Sequence, residues 1–147
     1  MEQRFDVSKL IPDGYQAMLG VHTYVQGCGL DLGLLELVRL RISQINGCAF
    51  CVAMHIPLAR KHGLSEDQIN LVATWKESPV FSPRERAALA WAEAVTVLTS
   101  QEVPDAVYGP LTAQFSVEEI AKLTLCIGEI NTWNRLMIAS RTPPVLG

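Results

Sequence analysis

Residues 35–69 read "LELVRLRISQINGCAFCVAMHIPLARKHGLSEDQI", and their punctuation is helical from end to end. Leu35, Val38, Ile42 and Ile45 recur at helical spacing in a segment from about 31 to 45. Asn46-Gly47 stops it, because glycine adopts the left-handed backbone that closes a helix. The next helix starts at or just before Cys48 and ends at His62-Gly63. Ser65 followed by Gln68 then reads as a capping box, opening a further helix from 66 to about 76.

The same grammar holds outward in both directions. A first helix runs from Pro12-Asp13 to the "GCG" at 27–29. The loop "ESPVFSP" (77–83) holds two prolines, and Ser82, Pro83 and Glu85 open a long helix to about Ser100. Pro104 opens a short helix to about Gln114. Ser116 with Glu119 caps the last helix, to about Ser140, and the tail "RTPPVLG" cannot continue it. No segment alternates with period two. The reading is an all-α fold, one domain over 1–147, of about seven helices. A faint echo links "LVRLRISQINGC" (37–48) with "LTLCIGEINTWN" (123–134), too short for an internal repeat.

Composition narrows the setting. Of 147 residues, 49% are hydrophobic and 18% charged, with a mean hydropathy of +0.20. That is oily for a small monomer, so a homo-oligomer is expected. Net charge is −3 and no Lys/Arg cluster is present, so nucleic acid is not an expected partner. No apolar run reaches the roughly 18 residues of a membrane span. The opening "MEQRFDVSKLIPDGYQ" is mixed and charged, unlike a signal peptide. A cytoplasmic protein is expected, with its four cysteines mostly reduced.

Cys48 and Cys51 lie three apart, and Cys51 and His55 four apart, so all three share one helical face. The dipole at the helix start favours a thiolate there, and His55 is within reach of Cys51 as base or cationic partner. A thiolate can attack a weak O–O or S–S bond. One sulfur would become a sulfenic acid, and the other would displace water to leave a disulfide. Two other readings stay open. The cysteines could be small hydrophobic filler, which suits Cys28 and Cys126 better than this pair. Cys48, Cys51 and His55 could also bind zinc, although no second Cys/His pair follows downstream.

Glu36 stands among leucines on the preceding helix. It could be a solvated partner of Arg39 three residues on. Alternatively, the turn at Asn46-Gly47 folds its helix back so that the carboxylate orients His55. His22 and His62 read as surface or capping residues, and Trp75, Trp91 and Trp133 as core or interface material. Pro57 removes one backbone bond inside the third helix and reads as a tolerated bend.

The run from Glu36 to Ile69 resembles the core motif of AhpD-like alkylhydroperoxidases, in the carboxymuconolactone decarboxylase superfamily. The pattern is a glutamate, twelve residues to a Cys-x-x-Cys, then a histidine four beyond the second cysteine. Glu36, Cys48, Cys51 and His55 match it in turn. The similarity extends through "WKESPVFSPRERAALAWAEAV" (75–95) and "INTWNR" (130–135). The resemblance implies an all-helical homotrimer or homohexamer. It implies that Cys51 is the peroxidatic thiol, Cys48 the resolving thiol, and His55 with Glu36 a proton relay. It implies an organic hydroperoxide as substrate, no metal or organic cofactor, and a lipoyl or thioredoxin-like dithiol protein as reductant. One departure is Phe50, where those members carry a second histidine. A decarboxylase acting on a lactone acid, and a non-enzymatic redox-sensing module, are the alternative functions.

Overall fold

In the computed structural model, which describes residues 2–99 and 102–146, helices begin where the sequence supplies caps. Ser65, Ser82 and Ser116 each form a complete capping box, with Gln68, Glu85 and Glu119 returning the bond. Eight α-helices result among the described residues: α1 Val7–Leu10, α2 Pro12–Gln26, α3 Leu32–Asn46, α4 Ala49–Lys61, α5 Glu66–Leu71, α6 Pro83–Thr96, α7 Asp105–Thr112 and α8 Val117–Ser140. The all-α, single-domain expectation holds.

The differences lie at element ends. The short α1 was not expected; the Asp6 carboxylate caps it by accepting from the Ser8 and Lys9 amides. α5 yields after Leu71 to a 3-10 turn over Val72–Thr74, so this stretch stops short of 76. α6 ends at Thr96, where Val95, Thr96 and Val97 form a β-branched run of low helix propensity. Its expected end at Ser100 lies outside the described residues.

α3 is the axis of the molecule. It packs on α4, α6 and α8, and every residue from Gly33 to Leu40 is buried. A helix enclosed on all sides has no solvated stripe, so its polar residues must find partners inside. On one flank Leu35, Val38 and Ile42 pack with Leu123, Ile127 and Ile130 of α8 and Ala88 and Ala92 of α6. On the other, Leu37 and Leu40 pack with Ala59, Val72, Trp75 and Leu89. Each such buried aliphatic side chain contributes roughly 1.5–3 kcal/mol.

Two glycines set the approach of α3 to α4. A Cβ on Gly33 would stand 2.9 Å from the His62 carbonyl oxygen, so the start of α3 lies directly against the end of α4. Gly47 has φ of 73° and reverses the chain between the two helices. The end of α3 is then tied to α8. Asn46 Nδ2 donates to Asn131 Oδ1 at 3.0 Å and Asn134 Oδ1 at 2.8 Å, and Asn134 Nδ2 donates to Ser43 Oγ at 3.1 Å. The echo between the two segments thus has a physical counterpart, because Asn46 and Asn131 face each other across it.

Candidate active site

The reversal at Gly47 puts Cys48 at the N-cap of α4, where its sulfur accepts from the Cys51 amide at 3.3 Å. The Cα atoms of Cys48 and Cys51 are 5.3 Å apart and the two sulfurs are paired as a disulfide. Both residues are buried, against Val7 and Met137. α4 continues as one helix through Pro57, in line with a tolerated bend.

One turn beyond Cys51, His55 is also buried, and its Nδ1 lies 2.7 Å from Glu36 Oε2. A carboxylate only accepts, so Nδ1 carries the hydrogen and Nε2 is left as the basic nitrogen. Nε2 has no hydrogen-bond partner among the described residues. The structure therefore brings Glu36, His55 and Cys51 together from two helices. The solvated reading of Glu36 is corrected: it is 1% exposed. Its expected bond to Arg39 is present, at 2.8 Å, and coexists with the bond to His55. Burial pushes the Glu36 carboxyl up, but the bonds and charges of His55 and Arg39 outweigh it and hold the group below its ordinary value.

Arg39 extends the site further than the sequence reading reached. It is fully buried, and its Nη2 donates to Glu129 Oε2 at 3.1 Å while Nη1 donates to Glu36 and to Gln26 Oε1 at 2.8 Å. On the far side of Glu129, Oε1 accepts from His22 Nδ1 at 2.6 Å and from Trp133 Nε1 at 3.3 Å. A chain of five ionisable side chains results, running His55, Glu36, Arg39, Glu129, His22 across α4, α3, α8 and α2. Glu129, like Glu36, is held below the ordinary value: burial opposes its charge, and the His22 bond and the Arg39 charge prevail. His22 is corrected from a lone surface or capping residue to the outer end of this chain. His62, in contrast, does cap the end of α4.

Both histidines open onto one cavity of about 180 Å³. Phe50, Met54, Leu19, Trp133 and Met137 supply its apolar lining, and Cys51, His55, His22, Arg39 and Glu129 the rest. Tyr15 meets Trp133 edge to face at 5.4 Å, which braces that wall. Trp133 is thus more than core material. Cys126 is buried near Arg39, whose charge favours the thiolate, but burial prevails and pushes its thiol up to about 12, so it stays protonated near neutrality.

Glu129 had a signal in the sequence. It lies between Ile127 and Ile130 as Glu36 lies between leucines, and a carboxylate in an apolar stretch needs a buried partner. His22 had none, since its partner is 107 positions away.

The comparisons with known proteins agree with this frame. The model of the carboxymuconolactone decarboxylase family matches residues 12–94, which contain Glu36, Cys48, Cys51 and His55. The uncharacterized protein YdfG of Bacillus subtilis (strain 168) is 37% identical over 139 residues, 95% of each chain. The crystal structure of ATU0492 from Agrobacterium tumefaciens, of unknown function and a candidate antioxidant defence protein AhpD, superposes with a TM-score of 0.97. It is 44% identical and covers 99% of this chain and 100% of its own. An uncharacterized peroxidase-related protein of Ralstonia eutropha JMP134 with an AhpD core has a TM-score of 0.84 at 23% identity, over 95% of this chain and 74% of its own. That last likeness shows the fold alone. The chain belongs to the carboxymuconolactone decarboxylase family, and its fold is AhpD-like.

Proposed function

We propose that the protein is a dithiol peroxidase that reduces organic hydroperoxides, cycling Cys48 and Cys51 between dithiol and disulfide. The observation that carries this reading is the 2.7 Å bond between Glu36 and His55. It fixes the tautomer whose free Nε2 can take the Cys51 proton, one helical turn away. The thiolate attacks the outer peroxide oxygen, the O–O bond breaks, and Cys51 becomes a sulfenic acid. The Cys48 thiol then attacks that sulfur and water leaves. Cys48 and Cys51 already stand at disulfide separation, so this second step needs no unwinding of α4.

An apolar cavity beside Cys51 supports an organic rather than a purely polar peroxide, and Phe50 belongs to its wall. The reductant is proposed to be a dithiol protein, lipoyl or thioredoxin-like, in a cytoplasmic setting. A homotrimer or homohexamer is proposed on the exposed apolar side chains Leu10, Ile11, Tyr24, Leu125 and Ile138. Against the decarboxylase alternative, both Nη atoms of Arg39 are engaged with Glu36, Glu129 and Gln26, leaving that guanidinium poorly placed to hold a lactone acid.

The test is a thiol titration of reduced protein before and after one equivalent of cumene hydroperoxide, in a Cys28→Ala/Cys126→Ala background, with zinc measured on the same sample. Loss of both remaining thiols, blocked in Cys51→Ser and arrested at a sulfenic acid in Cys48→Ser, is the expected result. Survival of both thiols would end the peroxidase reading. Stoichiometric zinc would then favour a metal site. Oxidation without turnover by any dithiol would favour a redox-sensing module.

A further inference from the structure

Reduction of a hydroperoxide needs two proton transfers at the site, and the Glu36–His55 pair accounts for one. His55 removes the thiol proton, while the departing alkoxide is a strong base that must acquire one. Phe50, beside Cys51, has no proton to give. His22 lines the same cavity as Cys51; its side chain is 37% exposed and its Nδ1 is bound to the buried Glu129. With Nδ1 fixed by a carboxylate, Nε2 is the ring nitrogen available to the cavity.

Charge balance supports an acid there. Arg39 neutralises one of its two carboxylate neighbours, so with both imidazoles neutral the buried chain holds one uncompensated negative charge. A proton on one imidazole removes it. His22, the more exposed of the two, is the imidazole that can draw that proton from solvent.

Resting on the peroxidase reading, we propose that His22, held by Glu129, is the general acid that protonates the leaving alkoxide. The site is then two histidine–carboxylate pairs joined through Arg39, one activating the nucleophile and one discharging the leaving group. The step balances. The Cys51 sulfur bonds to the outer oxygen, which keeps its hydrogen, the O–O bond breaks, and the alkoxide takes the His22 proton to leave as an alcohol. His55 retains the proton taken from Cys51, and His22 regains one from solvent through its exposed edge. In the second step the Cys48 proton leaves with the sulfenic hydroxyl as water.

The test compares oxidants whose leaving groups differ in basicity. Cumene hydroperoxide expels an alkoxide that needs an acid, whereas peracetic acid expels acetate, which does not. In His22→Gln, oxidation of Cys51 by cumene hydroperoxide is expected to slow by about 100-fold, a usual magnitude for a lost general acid. The rate with peracetic acid is expected to stay within about two-fold. In His22→Ala, added imidazole is expected to restore the cumene hydroperoxide rate selectively. Equal slowing with both oxidants, or no slowing with either, overturns the role of His22; so does His22→Ala that imidazole leaves unrescued. A wild-type protein whose thiols survive cumene hydroperoxide instead removes the peroxidase reading itself.

Discussion

The two ends of the buried ion chain are built from the same parts and solvated differently. At one end His55 is 2% exposed and bonded to a glutamate 19 positions earlier, across a single helix reversal. At the other, the His22 side chain is 37% exposed and bonded to a glutamate 107 positions later. The enclosed end is suited to hold a proton taken from Cys51. The open end is suited to exchange one with solvent. Arg39 makes the two one electrostatic unit, so a change at either carboxylate is felt at both.

The largest effect should separate the enclosed end from the other cysteines. Cys51→Ser is expected to abolish peroxide consumption, while Cys126→Ala leaves the rate within about two-fold, because a thiol pushed up to about 12 supplies no thiolate. Stopped-flow thiol loss checks both. Next in size, Glu36→Gln offers its amide to His55 in place of a carboxylate, so Nδ1–H loses its charged acceptor. A rate loss of about 10²–10⁴ is expected, the range seen when a histidine loses its orienting acid. A Glu36→Gln protein that reacts as fast as wild type would make the Glu36–His55 bond structural only.

Arg39→Met tests the link between the ends. It removes the counter-ion from two buried carboxylates at once, and breaking a buried pair in this way costs about 3–5 kcal/mol. Urea denaturation should show that loss, and adding Glu129→Gln to Arg39→Met should recover part of it. Additive losses would mean that Glu129 and Arg39 do not act on each other.

The enclosed end was legible in the sequence because its partners obey local rules. Cys48, Cys51 and His55 are separated by helical spacings, and the Asn46-Gly47 stop implies the reversal that brings Glu36 alongside. The same rules located α2, α3, α4 and α8 to within a residue or two, since Pro12 and Ser116 open α2 and α8, and Gly27, Gly47 and Gly63 follow the ends of α2, α3 and α4. What sequence alone did not supply was the burial of α3 on all sides. One of the two readings of Glu36 was a solvated i,i+3 partner of Arg39, because an amphipathic helix normally has an outer face. With α8 packed over that face, the pair turned inward and recruited Glu129, then His22. A contact spanning 107 positions leaves no periodic trace. The end of α6 was misjudged for a nearer reason: the capping box fixed its start, but nothing in a capping rule weighs the β-branched run 95–97 that ends it.

The acid limb of stability gives the smallest and most discriminating comparison. Glu36 and Glu129 are both held below the ordinary value of 4.5 in the folded protein. Each therefore contributes stability that is fully present above that value and is lost as pH falls through the lower, folded one. Glu93 is held down as well, by Trp75, Arg41 and Lys76 against its own burial, so a residual slope is expected whichever end is altered. Glu36→Gln and Glu129→Gln should each flatten the fall in melting temperature below pH 4.5, relative to wild type. The cause differs between them: at Glu36 the opposing groups are His55 and Arg39, at Glu129 they are His22 and Arg39. Removing His22 by His22→Gln should consequently flatten the slope in wild type and do nothing further in Glu129→Gln. A slope that His22→Gln changes equally in both backgrounds would show that His22 senses the acid limb through some group other than Glu129, and the outer end of the chain would have to be redrawn.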